Sequence, residues 1–198
     1  MSYQEILAII GITIGFIAYA VYFYGVFYGK TKPHGFTWFV WGIMNITVFF
    51  AQLIKGGGAG AWITGSNGVL CLAVAVVAIW RGEKNITRTD WFCLGGALAG
   101  IMTWIVTHNP LTAVLLASVV DLCAILPTIR KAYHKPYEEN VLGFSIDLAA
   151  FVLALVALES FNLTTALFPA VILVNDSFLV GMILIRRQSK SGPSLKMK

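Results

Sequence analysis

Three carboxylates fall inside long apolar runs: Asp121, Asp147 and Asp176. If those runs cross a bilayer, each ionised acid near its centre costs about 2.5–3.5 kcal/mol on insertion scales, roughly 7–10 kcal/mol for the three unpaired. They must then face a protein interior, pair, or take up protons. For Asp121 and Asp176 two readings stay open. One is binding of a coupling proton; the other is a fixed hydrogen-bond acceptor that orients a solute or locks helices. Asp147 lies about one turn into its run, near the membrane face that Arg130 and Lys131 border, so a structural or gating ion pair with one of them is expected there.

Neutral polar residues join them. Asn67 and Asn175 sit within their own apolar runs, and Asn45 and Gln52 are seven residues apart, hence on one helical face. Asn175 and Asp176 are neighbours about 100° apart around a helix, so they cannot share a face. Asn175 is expected to face a central cavity and to converge there with Asn67. The Asn45 and Gln52 stripe suits interhelical hydrogen bonding at least as well as a solute path. Cys71, Cys93 and Cys123 have no paired spacing, and His34, His108 and His134 do not cluster. No metal, cofactor or catalytic constellation is expected, and enzyme activity is not.

The elements that must position these residues follow from composition. Of 198 residues, 58% are hydrophobic and 12% charged, with a mean hydropathy of +0.80. Soluble domains carry about 25% charged residues, so a water-facing surface cannot be built here. Disorder fails on the same count. What remains is a polytopic membrane protein. Uncharged runs give seven spans: Ile6 to Phe27, Phe36 to Ile54, Ala61 to Trp80, Trp91 to Thr107, Leu111 to Ile129, Phe144 to Leu158 and Ala166 to Ile185. Helices are expected, since the runs are too long for barrel strands. The first lacks a basic leader and is read as a retained span.

Basic residues then set the orientation. Thirteen of the 14 fall in the loops between spans 1–2, 3–4 and 5–6 and in the tail, and only Lys55 falls opposite. The positive-inside rule predicts an external N-terminus and a cytoplasmic C-terminus. The net charge of +5 is therefore topological, and no nucleic-acid partner is expected. Tyr19, Tyr22, Tyr24 and Tyr28, with Trp38, Trp80 and Trp91, read as an interfacial aromatic belt. The segment Lys55-Gly-Gly-Gly-Ala-Gly60 reads as a flexible external link.

The chain also repeats itself. Lys32-Pro33 and Lys135-Pro136 are 103 apart; Gly35-Phe36-Thr37 and Gly143-Phe144-Ser145 are 108 apart, as are Asn67 and Asn175. Two parallel three-helix repeats joined by a linker helix are expected, related by an axis along the membrane normal. The expected units are 1–82, a linker over 83–110, 111–188, and a basic tail over 189–198. The three acids have first-half counterparts Ala18, Phe39 and Gly68, so the halves have diverged in charge.

The segment Pro127-Thr-Ile-Arg-Lys-Ala-Tyr-His-Lys-Pro-Tyr-Glu-Glu-Asn-Val-Leu-Gly-Phe-Ser145 resembles the PQ-loop signature of the SWEET and PQ-loop transporters, although Thr128 stands where that signature has Gln. The 3+1+3 layout and topology are similar to theirs, over nearly the whole chain as architecture and about 20 residues as motif. The resemblance implies that Asn67 and Asn175 contact solute and that Pro127 is a hinge. Most other hinge prolines of that pattern are missing, and Pro169 lies where it calls for none. Trp38-Phe-Val-Trp41 has the spacing on which the related nicotinamide riboside transporters stack their ligand, which makes Trp41 a candidate binding residue.

The expectation is thus an all-α, seven-helix transporter in the lipid bilayer of a bacterial inner membrane. It would carry a small polar organic solute, sugar-like or vitamin- or nucleoside-like, by alternating access, with proton coupling and homo-oligomerisation both open. Asn67, Asn175, Asn45 and Trp41 would bind the solute, Asp121 and Asp176 orient it or exchange a proton, and Pro127 and Asp147 serve as hinge or gate. The rival is a seven-helix ligand-sensing receptor without transport activity. A retinal protein is disfavoured because Ala166 to Ile185 holds no Lys.

Overall fold

The computed structural model describes residues 1–83 and 86–191. Among them the chain is helical throughout: α1 (Tyr3–Phe27), α2 (Gly35–Ile54), α3 (Ala59–Arg81), α4 (Arg88–Thr107), α5 (Pro110–Ala124), α6 (Leu126–His134), α7 (Val141–Val156) and α8 (Leu163–Ser191). α5 runs on into α6 with a break at Ile125; α5 is apolar, and α6 carries Arg130, Lys131 and His134. Six helices are long and apolar enough to cross a membrane, and α7 is a shorter apolar helix of 16 residues. Large apolar side chains such as Phe16, Val76, Phe92, Met102 and Val106 point outward, a coat that water would not tolerate on a soluble monomer. The chain has the make-up of an integral membrane protein.

Local chemistry sets the helix ends. Ser2 and Glu5 form a capping box on α1, and Thr87 and Asp90 another on α4. Asn109 caps α5 ahead of Pro110, Asn140 caps α7, and the Asn162 side-chain Oδ1 accepts from the Thr164 and Thr165 amides as α8 begins. Span edges thus lie within three residues of the sequence expectation except at two places. The fifth span breaks at Ile125 and runs on to His134, and the last continues to Ser191, into the segment expected to be tail.

Packing follows a simple order. α3 lies between α1 and α2, and α8 lies between α5 and α7. Across the middle, α1 packs on α7 and α2 on α5, while α4 rests mainly on α5. The central core is rich in small residues, with Ala8, Ala51, Ala97, Ala117, Ala150 and Ala154 around Met44, Phe151 and Phe168. Small side chains let helices approach closely, which supplies the van der Waals contact that replaces hydrophobic driving force in lipid.

Pro169 shows how one sequence feature is absorbed. It sits inside α8, and without an N–H it cannot donate to the carbonyl four residues earlier. That carbonyl belongs to Thr165, and the buried Gln52 Nε2 donates to it from α2 at 2.6 Å.

Candidate functional site

A cavity of about 1110 Å³ enters the bundle at the end that carries most of the basic residues. Its mouth is formed by Lys30, Lys32, Arg130, Lys131 and Glu139, and its inner end by Tyr22, Thr37, Trp38, Trp41 and Phe144. Trp41 lies six residues into α2, about 9 Å along the helix axis at 1.5 Å per residue. The inner end is aromatic. The Tyr22 and Trp38 rings are 4.8 Å apart, Trp38 meets Trp41 edge-on at 5.2 Å, and Phe144 meets Tyr22 at 6.4 Å.

Tyr19, Tyr22 and Trp38 therefore do not belong to an interfacial belt. They are buried at 5–7% exposure, whereas Tyr24, Tyr28, Trp80 and Trp91 are exposed as the belt reading requires. The spacing carried this signal: Tyr19, Tyr22 and Val26 share one helical stripe, and Tyr24 and Tyr28 share another.

Behind the aromatic floor the polar residues divide by half. In the first half the Tyr19 hydroxyl donates to Asn67 Oδ1 at 2.6 Å, Asn67 Nδ2 donates to Asn45 Oδ1 at 3.3 Å, and Asn45 Nδ2 donates to the Trp41 carbonyl at 2.9 Å. This chain crosses from α1 through α3 to α2. In the second half Asn175 Nδ2 donates to Asp121 Oδ2 at 2.7 Å, tying α8 to α5. The expected convergence of Asn67 on Asn175 is not seen: each is held within its own half, and no hydrogen bond joins them. The Trp41 indole N–H approaches the Asp121 carboxylate without hydrogen-bond geometry and is otherwise unpartnered.

The ion pair expected for Asp147 is also absent. Lys131 instead meets Glu139 at 2.9 Å and donates to the Lys32 carbonyl at 3.3 Å. Asp147 lines a narrow pocket of about 20 Å³ with Tyr19, Tyr22, Trp38 and Phe144, room for about one water molecule. Helical geometry explains the miss. Asp147 sits six residues into α7, about 9 Å from the helix start, while Glu139 sits before it in the loop that Lys131 faces. Asp176 is 8% exposed; like Asp147, it has no hydrogen bond or ion pair among the described residues. The backbone at Pro127 is helical within α6, and its side chain lies outside the described residues. The same holds for the side chain of Lys190, while Lys84, Lys196 and Lys198 lie outside them altogether.

Glu139 is 6% exposed, and burial pushes its carboxyl above the usual range while the Lys131 ammonium pulls it back. Arg187 braces the same loop by donating to the Pro136 and Glu139 carbonyls at 3.0 and 2.8 Å.

The opposite end is shut. The glycine segment after α2 is no loose link, because it is sewn to the loop between α7 and α8. Glu159 Oε1 accepts from the Ala59 amide at 3.1 Å, capping α3 from another helix pair. The Gly60 amide donates to the Ala157 carbonyl at 3.1 Å, the Glu159 amide to Gly57 at 3.3 Å, and Asn162 Nδ2 to Lys55 at 3.2 Å. Gly58 has φ +58, a Cβ on it would collide with the Glu159 carboxylate, and a Cβ on Gly60 would stand 2.7 Å from the Ala154 carbonyl oxygen. A run that reads as flexible is glycine-rich because two loops meet there at backbone distance.

The arrangement is a one-sided vestibule. It is open at the basic end, floored by aromatic rings, and closed at the far end by what we call the clasp. No known family model, curated protein or solved structure matches the chain.

Proposed function

We propose that the protein is a transporter that carries a small polar organic solute across a bacterial inner membrane by alternating access. The observation that carries this reading is the one-sided cavity: solute-sized, wet at the mouth, aromatic at the floor, and opposed by a hydrogen-bonded clasp. Binding sites between helices of a bundle take this form. In an alternating-access cycle, closure of the mouth and parting of the clasp would expose the same floor to the other side.

On this reading the chain is built as 3+1+3, with the N-terminus outside and the C-terminus in the cytoplasm. The packing order supports it. The third helix sits in the middle of each proposed unit, and the α1–α7 contact matches the α2–α5 contact when the two units are exchanged. Such an exchange is what a twofold axis along the membrane normal requires, as in the SWEET-like architecture the sequence resembles. Trp41 takes part in binding from the floor of the cavity. Asn45, Asn67 and Asn175 stand deeper, where rearrangement of their hydrogen bonds would open the path. Asp121 and Asp176 either orient the solute or exchange a proton.

Uptake into proteoliposomes tests this. A panel of sugars, amino acids, nucleosides and amines would be offered with and without a pH gradient, comparing wild type with Asn67→Ala, Asn175→Ala and Asp176→Asn. Flux of one chemical class, weakened in the asparagine variants, is the expected result. Binding of a solute with no flux of any class would overturn transport and favour the ligand-sensing receptor. Flux indifferent to the pH gradient would remove the proton from the cycle and leave the rest standing.

A further inference from the structure

Among the described residues, the charges inside the bundle between the aromatic floor and the clasp are all of one sign. α1, α2, α5 and α7 contain no Lys, Arg or His; the only basic residue of α3 is its last, Arg81; and α8 has none before Arg186. Against this stand Asp121, Asp147 and Asp176. Asp121 has one neutral donor, Asn175, and the other two have none among the described residues. Among the described residues, nothing between the floor and the clasp offers a positive charge to an anionic solute. A carboxylate in such surroundings favours a mobile countercharge, because at low dielectric the attraction between opposite charges is several times its value in water.

Ring geometry points the same way. Tyr22, Trp38 and Phe144 line both the wide cavity and the narrow pocket that holds Asp147. A solute resting on the floor therefore has aromatic rings beneath it and, on their other side, the pocket that Asp147 lines. Aromatic faces attract cations, most strongly when desolvated, with Trp the best of the rings. The mouth is basic, but its charges weigh less. Lys131 and Lys135 are paired with Glu139 and Glu138, and exposed charges are screened over roughly 8–10 Å at physiological salt. The low-dielectric floor sets selectivity, while the mouth disfavours solutes that carry several positive charges.

We propose that the floor of the cavity recognises an organic monocation, an ammonium-type headgroup held over Tyr22, Trp38 and Trp41 with Asp147 as its countercharge. This deepens the transporter reading and rests on it for the cavity being a solute site. The narrow pocket has room for about one water molecule, so the headgroup sits on the cavity side of the rings.

The test is equilibrium binding to the purified full-length protein in detergent, which needs no flux. Labelled choline is displaced by unlabelled choline or by its neutral isostere, in which a quaternary carbon replaces the ammonium nitrogen. Choline is expected to compete about tenfold or more better than the isostere, in keeping with a desolvated cation over aromatic rings. Asp147→Asn should bring the two within about threefold, and Asp147→Glu should restore part of the preference. Size-exclusion behaviour and thermal unfolding establish that each variant is folded, and Trp38→Leu supplies a second route should Asp147→Asn not fold. Equal competition by the two compounds, a preference that survives Asp147→Asn and Trp38→Leu, or no choline binding at all would overturn the proposal. Uptake of a neutral solute alone in the proteoliposome panel would likewise refute it while leaving transport intact. Choline binding without flux would leave it standing while transport fails.

Discussion

Replacing Gly60 by alanine should open the clasp. The added Cβ would lie 2.7 Å from the Ala154 carbonyl oxygen, 2.8 Å from the Leu158 nitrogen and 2.9 Å from the Ala157 carbonyl carbon. All three are backbone atoms at the end of α7, so no side-chain rotation relieves the clash and the helices must part. Overpacking of this kind costs about 1–3 kcal/mol. If the cost falls only on the clasped conformation, the equilibrium shifts by about 5- to 150-fold. The readout is a cysteine at Thr64, fully buried behind the clasp with an unpartnered hydroxyl. In a background lacking Cys71, Cys93 and Cys123, a membrane-impermeant thiol reagent is added from the clasp side. Thr64→Cys should react slowly with Gly60 intact and at least several-fold faster with Gly60→Ala. Gly15→Ala, whose methyl would meet nothing within 4 Å, should leave the rate unchanged. An unchanged rate in a folded Gly60→Ala protein would show that these loops do not seal the path.

Three further outcomes follow from the same contacts. Gln52→Met strands the Thr165 carbonyl but also removes an unpartnered Gln52 Oε1, so thermal unfolding should show a net loss of about 1 kcal/mol. Adding Pro169→Ala returns an N–H to that carbonyl and should recover most of the loss; an additive double variant would refute the assignment. Lys131→Met leaves buried Glu139 without its cation, a loss on the order of 3 kcal/mol. Because burial raises the Glu139 carboxyl above 4.5, the folded state takes up a proton there. Stability should be fullest below that ordinary value, fall as pH rises through the raised one, and fall more steeply in Lys131→Met, as a pH series of unfolding temperatures would reveal. Tyr19→Phe removes the hydroxyl donating to Asn67 and contacting the Cys71 sulfur at 3.0 Å, which should cost about 1–2 kcal/mol and leave the Lys131 pH series unaltered.

What the sequence disclosed divides along a physical line. Helix spans depend on local composition, so α1 to α4 lie close to where hydropathy places them. Burial also reads locally once spacing is respected. Asn45, Gln52, Asn67, Asp121, Asn175 and Asp176 are all buried, as the cost of polar groups in lipid demands. Partners do not read locally. Asp147 and Lys131 belong to helices joined by one loop, yet Asp147 lies about 9 Å into α7 and Glu139 takes the lysine. Asn67 and Asn175 match in the repeat, yet each is satisfied within its own half, because Tyr19 and Asp121 have no counterparts across it. The clasp was hidden because glycine marks both loose chain and tight contact, and only the opposing Ala157-to-Glu159 backbone distinguishes them. Pro169 likewise made sense only with Gln52 beside it.

Alternating access requires the clasp to part, and a crosslink tests that need most directly. A Cβ at Gly56 would lie 3.4 Å from the Ser160 Cβ, close to the roughly 3.5–4.5 Å span of disulfides. The φ of +74 at Gly56 costs a cysteine there about 1–2 kcal/mol. In proteoliposomes, solute counterflow by the Gly56→Cys, Ser160→Cys variant should be nearly abolished when oxidised and restored by reduction, with solute binding from the cavity side retained in both states. Counterflow at the same rate in the fully crosslinked and reduced protein would contradict alternating access through this bundle.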